Sequence, residues 1–185
     1  MTQPAASGVE AALLQERLQL HDDNVGTPLA ASLFAGTTLV VMLGLADGWH
    51  RWLAVWWALL ALALGVRWWL AQAWRRGRTR GPDTGDVQAN RRWLLRHRMA
   101  YGLHGMAWGS LSLMPTVNLG SEAMQAVAFV ATAMAGGALI TGAFDTVASF
   151  AFAVPTLLPL VANLFSSEAR PALGHAVVAS VFLLV

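Results

Sequence analysis

The stretch Arg75–Arg98, RRGRTRGPDTGDVQANRRWLLRHR, contains eight of the chain's twelve arginines, although the chain is 56% hydrophobic and only 12% charged. Soluble domains usually carry about 25% charged residues. A nucleic-acid-binding domain would spread its basic residues over a solvated face, beside a core that it could fold alone. Here long apolar runs flank the basic segment on both sides. We therefore interpret it as a cytoplasmic loop of a membrane protein, with the lipid bilayer and not nucleic acid as its partner.

The apolar runs are long enough for transmembrane helices, because about 20 residues cross the roughly 30 Å hydrocarbon core of a bilayer. The sequence predicts an all-α, polytopic membrane helix bundle that follows a polar segment, residues 1–26. Within the predicted transmembrane domain, residues 27–185, the spans are 27–46, 49–70, 99–117, 122–143, 147–165 and 173–185. The sixth would reach only about 20 Å. We therefore expect it to be incomplete and the chain to continue beyond residue 185.

The basic loop also predicts the orientation of the bundle, since short arginine-rich loops stay in the cytoplasm. The loop joins the second and third predicted spans, so alternation places the N-terminus in the cytoplasm as well. The first residues lack the basic start and short apolar core of a signal peptide. Residues 9–23 are expected to form either an amphipathic helix on the cytoplasmic surface or a helical lead-in to the first span.

Aromatic residues at both ends of the second predicted span are typical of membrane interfaces. They are Trp49 and Trp52 at one end and Trp68, Trp69 and Trp74 at the other. Arg67 lies just inside the second group. We expect its long stem to carry the charge out to the interface.

The third predicted span, together with His97 just before it, carries the principal polar pattern, formed by His97, Tyr101, His104 and Trp108. Their spacing of four, three and four residues predicts one shared helical face. Ionisable residues within a span often mark function, so these four are candidate ligand-binding or sensing residues. The alternative is that they make interhelical hydrogen bonds that fix the packing.

No cofactor or metal is expected in this segment. Two histidines seven residues apart on one helix make a weak metal site. A haem would need histidines that face each other at similar depth, and His50 and His175 are both expected near the outer face, away from His104. Catalytic motifs such as a nucleophile elbow, HExxH or a phosphate loop are not found, and no catalytic residue is predicted.

Small residues in the fourth predicted span recur at helical spacing and predict close helix packing, within the bundle or between protomers. They include Ala133, Gly136, Gly137 and Thr141. In the fifth span Pro155 and Pro159 each remove a helical hydrogen bond, and they are hinge candidates, with a static kink as the alternative. Asp145, just before that span, is expected to cap its helix.

Three stretches together resemble the N-terminal membrane region of bacterial signalling proteins, in which a six-helix bundle precedes cytoplasmic output modules. They are ERLQLHDDNVGTPLAASLFAGTTLVVMLG (16–44), NRRWLLRHRMAYGLHGMAWGSLSLMP (90–115) and GAFDTVASFAFAVPTLLPLVANLF (142–165). The shared features are an arginine-rich lead-in to a span with glycine and tryptophan, and a Pro-x3-Pro span.

The resemblance implies a multi-pass sensory region in the bacterial inner membrane, followed after residue 185 by a cytoplasmic output domain. A GGDEF diguanylate cyclase is the expected output, and a histidine kinase is the alternative. Without external domains, a lipophilic or membrane-derived signal is expected to act through a shift of the sixth helix within a homodimer. From other classes, part of a small transporter or a plain membrane anchor remain alternatives.

Overall fold

The computed structural model describes residues 3–78, 87–113 and 121–166, which form helices and no strand. The helices are α1 (Gln3–Asp23), α2 (Gly26–Asp47), α3 (Arg51–Arg78), α4 (Val87–Ser110), α5 (Ser121–Thr141) and α6 (Thr146–Ser166). A short 3-10 turn, Leu111–Leu113, extends α4. The all-α prediction is confirmed, and the predicted spans 27–46, 122–143 and 147–165 correspond closely to α2, α5 and α6.

Four of these helices, α2, α3, α5 and α6, are long and apolar enough to cross a membrane. Helix α4 does not qualify, because four arginines lie in its first half. Its second half coincides with the start of the third predicted span. The sixth predicted span, residues 173–185, lies outside the described residues. The chain therefore has the helices of a membrane protein.

Helix α1 packs against α4 and the C-terminal part of α3. Leu18 is fully buried there against Trp74 and Leu94. A turn at Asn24 and Val25 separates α1 from α2, so α1 is a separate helix and not a continuous lead-in to the first span. Ion pairs join α1 to the two arms of the basic loop, which are the end of α3 and the start of α4.

The two ion pairs are Asp22 with Arg75, at 2.7 Å between Oδ1 and Nε, and Glu10 with Arg91. The first bridges α1 to the end of α3, and the second bridges α1 to the start of α4. Helix α1 and the flanks of the basic loop therefore lie at the same end of the bundle.

Helix α3 continues beyond the predicted end at residue 70, to Arg78. Its 28 residues span about 42 Å, more than the roughly 30 Å of a hydrocarbon core. Trp74 in this extension is only 8% exposed, whereas Trp68 and Trp69 are about half exposed or more. The expectation that Trp74 belongs to an interfacial belt is therefore wrong, because α1 covers it.

Helices α4 and α6 make the most extensive contact in the bundle. A Cβ atom at Gly105 or Gly109 would overlap backbone atoms of Phe152 or Pro155. The glycines therefore allow the two backbones to approach closely. Sequence reasoning placed the close contact on α5, and it missed this pair of glycines four residues apart.

The prolines of α6 face this same contact, and the helix is unbroken across them. Pro155 and Pro159 lack N–H groups, so the carbonyls of Ala151 and Pro155 lose their helical donors. The carbonyl of Pro155 lies against Gly109, where a Cα–H group can serve as a weak donor. The observed role of the prolines is in packing against α4, while their role as hinges stays a prediction.

Candidate functional site

The four sequence-predicted site residues are all buried in the bundle, as a shared inward face of α4 requires. The structure divides them between two polar clusters. His104 and Trp108 belong to one cluster, and His97 belongs to the other. Tyr101 lies between the two clusters and contacts both.

The first group, which we call the His104 cluster, joins α2, α3 and α4. Nη1 of Arg67 lies 2.8 Å from Nδ1 of His104, and Oγ of Ser32 lies 2.8 Å from Nε2 of the same ring. A guanidinium N–H can only donate, so Nδ1 must accept and Nε2 carries the ring proton. Ser32 Oγ therefore accepts from His104, and it also accepts from Nε1 of Trp108 at 2.9 Å.

Arg67 is only 4% exposed, and the expectation that its charge reaches the interface is wrong. The physical reason is that α3 continues for eleven residues beyond it, with α1 packed against that extension. The guanidinium carbon lies 3.8 Å from the centre of the Tyr101 ring, a cation–π contact. Its Nη2 atom is buried and has no hydrogen-bond partner among the described residues.

The second group, which we call the Asp145 cluster, joins α1, α4 and the turn between α5 and α6. Asp145 accepts from Nε and Nη2 of Arg98 at 2.9–3.2 Å, and its Oδ2 lies 3.0 Å from Nε2 of His21. Its Oδ1 also lies 3.4 Å from the backbone N of Ala148, so the predicted cap is confirmed. Sequence reasoning missed the ion pair, because its partners come from other helices.

The His21 ring connects the Asp145 cluster to α4. It stacks on the His97 ring with centroids 5.6 Å apart, and it meets the Tyr101 ring edge-on at 5.5 Å. His97 precedes the predicted third span. Burial, together with the nearby His21 and the charge of Arg67, lowers the pKa of His97 to about 4, so this ring is neutral at physiological pH.

The carboxyl group of Asp145 is ionised. Burial alone would raise its pKa, but hydrogen bonds from His21 and Arg98, with the charge of Arg98, bring the pKa of Asp145 well below its ordinary value. This buried carboxylate therefore has a counter-ion, whereas the buried Arg67 has none among the described ion pairs.

A cavity of about 440 Å³ lies beside the His104 cluster. Its walls include Thr27 and Ala31 of α2 and the small residues Ala133, Gly137 and Thr141 of α5, while Arg67, Tyr101 and His104 contribute from the cluster. Thus the small residues predicted for helix packing border an open space, where a Cβ atom at Gly137 would meet nothing within 4 Å. Gly136 is buried.

Among the described residues, no group of three acidic, histidine or cysteine side chains could hold a metal ion. His50 is exposed, between α2 and α3, and His175 lies outside the described residues. A donor set of one arginine, one neutral imidazole and nearby hydroxyls can bind an anion or hydrogen-bond acceptor. It provides no nucleophile with an activating base.

Comparison with protein-family models, with curated proteins and with solved structures finds no match.

Proposed function

We propose that this chain is the membrane-embedded sensory and anchoring region of a bacterial signal-transduction protein in the inner membrane. The observation that carries the proposal is the His104 cluster, which places a buried arginine and histidine beside a cavity in a predominantly apolar bundle. Charged and ionisable side chains are costly within a membrane, and they often mark a functional site.

The contacts support a route from the cavity to the end of the bundle beside the basic loop, which we propose is the cytoplasmic end. Ser32, Arg67 and His104 connect three helices, and Tyr101 links them to His21 in α1. Helix α1 in turn pairs with both arms of the basic loop. A signal that displaced the Arg67 side chain would therefore shift α1 and the cytoplasmic ends of α3 and α4. In a homodimer, such a shift would pass through the sixth span to an output domain.

The proposed output domain is a GGDEF diguanylate cyclase, with a histidine kinase as the alternative. This part rests on the resemblance of the three stretches to signalling proteins. From a different class, part of a small transporter is supported by the cavity itself, since transporters hold their substrates in such spaces between helices.

The test begins with the natural coding sequence past codon 185, where a GGDEF active-site loop is expected. In the full protein, His104→Ala would then be compared with His50→Ala, a substitution at an exposed position in the same chain. We expect cyclic-di-GMP production per membrane-inserted molecule to change several-fold for His104→Ala and to stay unchanged for His50→Ala. Kinase motifs would favour the alternative output. Unchanged production for both variants would identify a plain membrane anchor.

A further inference from the structure

The buried charge of Arg67 has no neutralising partner among the described residues. Of its two terminal nitrogens, Nη1 donates to a neutral imidazole and Nη2 has no partner in the part of the chain that the structure describes. None of the four described ion pairs involves Arg67. The cation–π contact with Tyr101 offsets only part of the cost of burying a cation without a counter-ion, and a buried donor without an acceptor adds to that cost. The site therefore favours an anion beside Arg67.

The cavity bordered by Arg67 supplies the space for such an anion. Its volume of about 440 Å³ falls within the range of about 300–1,000 Å³ that is usual for small-molecule pockets. Apolar side chains make up most of its wall, including Met134, Ala138 and Phe152. A ligand that fits both features has one anionic group and an apolar body.

The small residues of α5 and α2 keep this space open. Gly137 has no atom within 4 Å of the position its Cβ would take, and Ala31 and Ala133 border the same space. All three are exposed, and α2 and α5 contact each other only sparsely. In a bilayer, this gap between α2 and α5 would give acyl chains access from the side.

We propose that the cavity binds a single-chain carboxylic acid, with its carboxylate on Arg67 and its chain against the apolar wall. Arginine pairs with carboxylate and phosphate oxygens through charge-assisted hydrogen bonds. Nη2 of Arg67 is buried and has no partner among the described residues, so a carboxylate that displaced the side chains covering it would supply the missing acceptor. An anionic phospholipid offers the same oxyanion chemistry, but a cavity of this size favours a single chain. As an identification of the stimulus, this inference rests on the proposed sensory function, whereas binding itself does not.

The test measures saturable binding of radiolabelled dodecanoic acid to the purified chain in phosphatidylcholine vesicles. The unlabelled acid is expected to displace the label, and methyl dodecanoate, which has the same chain without the charge, is expected to compete at least about tenfold more weakly. Equal competition by the ester would overturn the proposal. Vesicles that contain phosphatidylglycerol form a second arm, and loss of dodecanoic acid binding in them would assign the site to a lipid headgroup instead.

Two substitutions locate the binding in this cavity. Arg67→Gln removes the charge, and Gly137→Leu fills the open space; each is expected to weaken binding at least about tenfold. The matched controls are Arg51→Gln, at the opposite and exposed end of α3, and Gly65→Leu, at an exposed position where a Cβ atom also meets nothing. If Arg67→Gln does not fold, Gly137→Leu still decides the matter. Wild-type affinity in a folded Gly137→Leu protein would overturn the proposed site.

Binding and signalling can fail separately. If dodecanoic acid does not bind but His104→Ala alters the output, the sensory function is supported and the stimulus is a different one. Confirmed binding, with an output that no cavity substitution changes, would instead leave a lipid-binding membrane protein without the proposed function.

Discussion

Arg67 donates from Nη1 to Nδ1 of His104 across 2.8 Å, so a neutral imidazole holds a cation in the interior of the bundle. This contact also fixes the histidine tautomer, because the remaining ring proton must then lie on Nε2, facing Ser32. The three side chains come from three different helices. Because these side chains are joined by direct hydrogen bonds, the effects of substituting Arg67 and His104 on the free energy of unfolding should be coupled.

The first prediction concerns this coupling. His104→Leu would leave the Arg67 guanidinium buried with neither terminal nitrogen paired to a described residue, and we expect it to lower the free energy of unfolding by about 1–3 kcal/mol. Arg67→Met in the same chain removes the stranded charge, so the double variant should be more stable than the sum of the single effects implies. Denaturant unfolding in detergent micelles measures all four proteins. Strict additivity would contradict the coupling.

The second prediction compares two glycines. Gly109→Ala places a Cβ atom on the carbonyl of Pro155, and such overpacking should lower the free energy of unfolding by about 1–3 kcal/mol. Gly137→Ala makes the same chemical change in open space. It should be neutral or should stabilise α5 by up to about 1 kcal/mol, because alanine favours the helix. Equal effects at the two positions would contradict the observed α4–α6 contact.

The third prediction concerns orientation in the membrane, and the absence of cysteine from the chain makes it simple to test. Single cysteines at Asp23, His50 and Gly77 all occupy exposed positions. A membrane-impermeant maleimide should label His50→Cys in intact bacteria, and it should label Asp23→Cys and Gly77→Cys only after the membrane is permeabilised. The reverse pattern would place the basic loop outside and overturn the cytoplasmic assignment of the N-terminus.

The fourth prediction isolates the ion pair of Asp145. Asparagine caps helices about as well as aspartate, so Asp145→Asn keeps the cap on α6 but removes the charge that faces Arg98 and His21. Because the side chain is 1% exposed, we expect a loss of about 3 kcal/mol in the free energy of unfolding. Asp23→Asn, at an exposed position in α1, serves as the control. A loss no larger than the control's would mean that Asp145 acts through its cap alone.

Much of the fold is predictable because long apolar runs directly predict helices of membrane-spanning length. The predicted span 27–46 differs from α2 by one residue at each end, and the span 147–165 agrees equally well with α6. The end of α3 was not predictable in this way. Its last eight residues, AQAWRRGR, include three arginines and do not continue the apolar run, and they are helical because α1 packs against them.

The candidate site was predictable only within α4. Helical spacing places His97, Tyr101, His104 and Trp108 on one face, and all four are buried. Their partners Ser32, Arg67 and His21 come from three other helices. Which residues of the other helices face α4 depends on how each of those helices is rotated about its own axis. The spacing of residues within α4 contains no information about that rotation. The sequence signal for Arg67 was a lone arginine in an apolar run. That signal fits a buried arginine and an arginine whose side chain extends to the membrane interface equally well.

The fifth prediction is a pH dependence of stability that arises from His97. Its pKa is about 4 in the folded protein, because the ring is buried and lies near His21 and Arg67, against an ordinary value of 6.5. Between these two values the unfolded chain binds more protons than the native protein. The free energy of unfolding should therefore rise with pH across this window, by a total on the order of 3 kcal/mol.

Thermal unfolding in detergent micelles across pH 4 to 6.5 measures this slope. His97→Gln should reduce this slope but not abolish it, because the buried His104 accepts from Arg67 at Nδ1 and also takes up a proton less readily in the native protein than in the unfolded chain. The exposed His50→Gln should leave the slope unchanged. Asp145 does not interfere, because a carboxylate with a lowered pKa loses its stabilising contribution only as the pH falls below its ordinary value of about 4. An unchanged slope in a folded His97→Gln protein would show that another group takes up the proton, and it would remove the basis for treating His97 as a buried neutral ring.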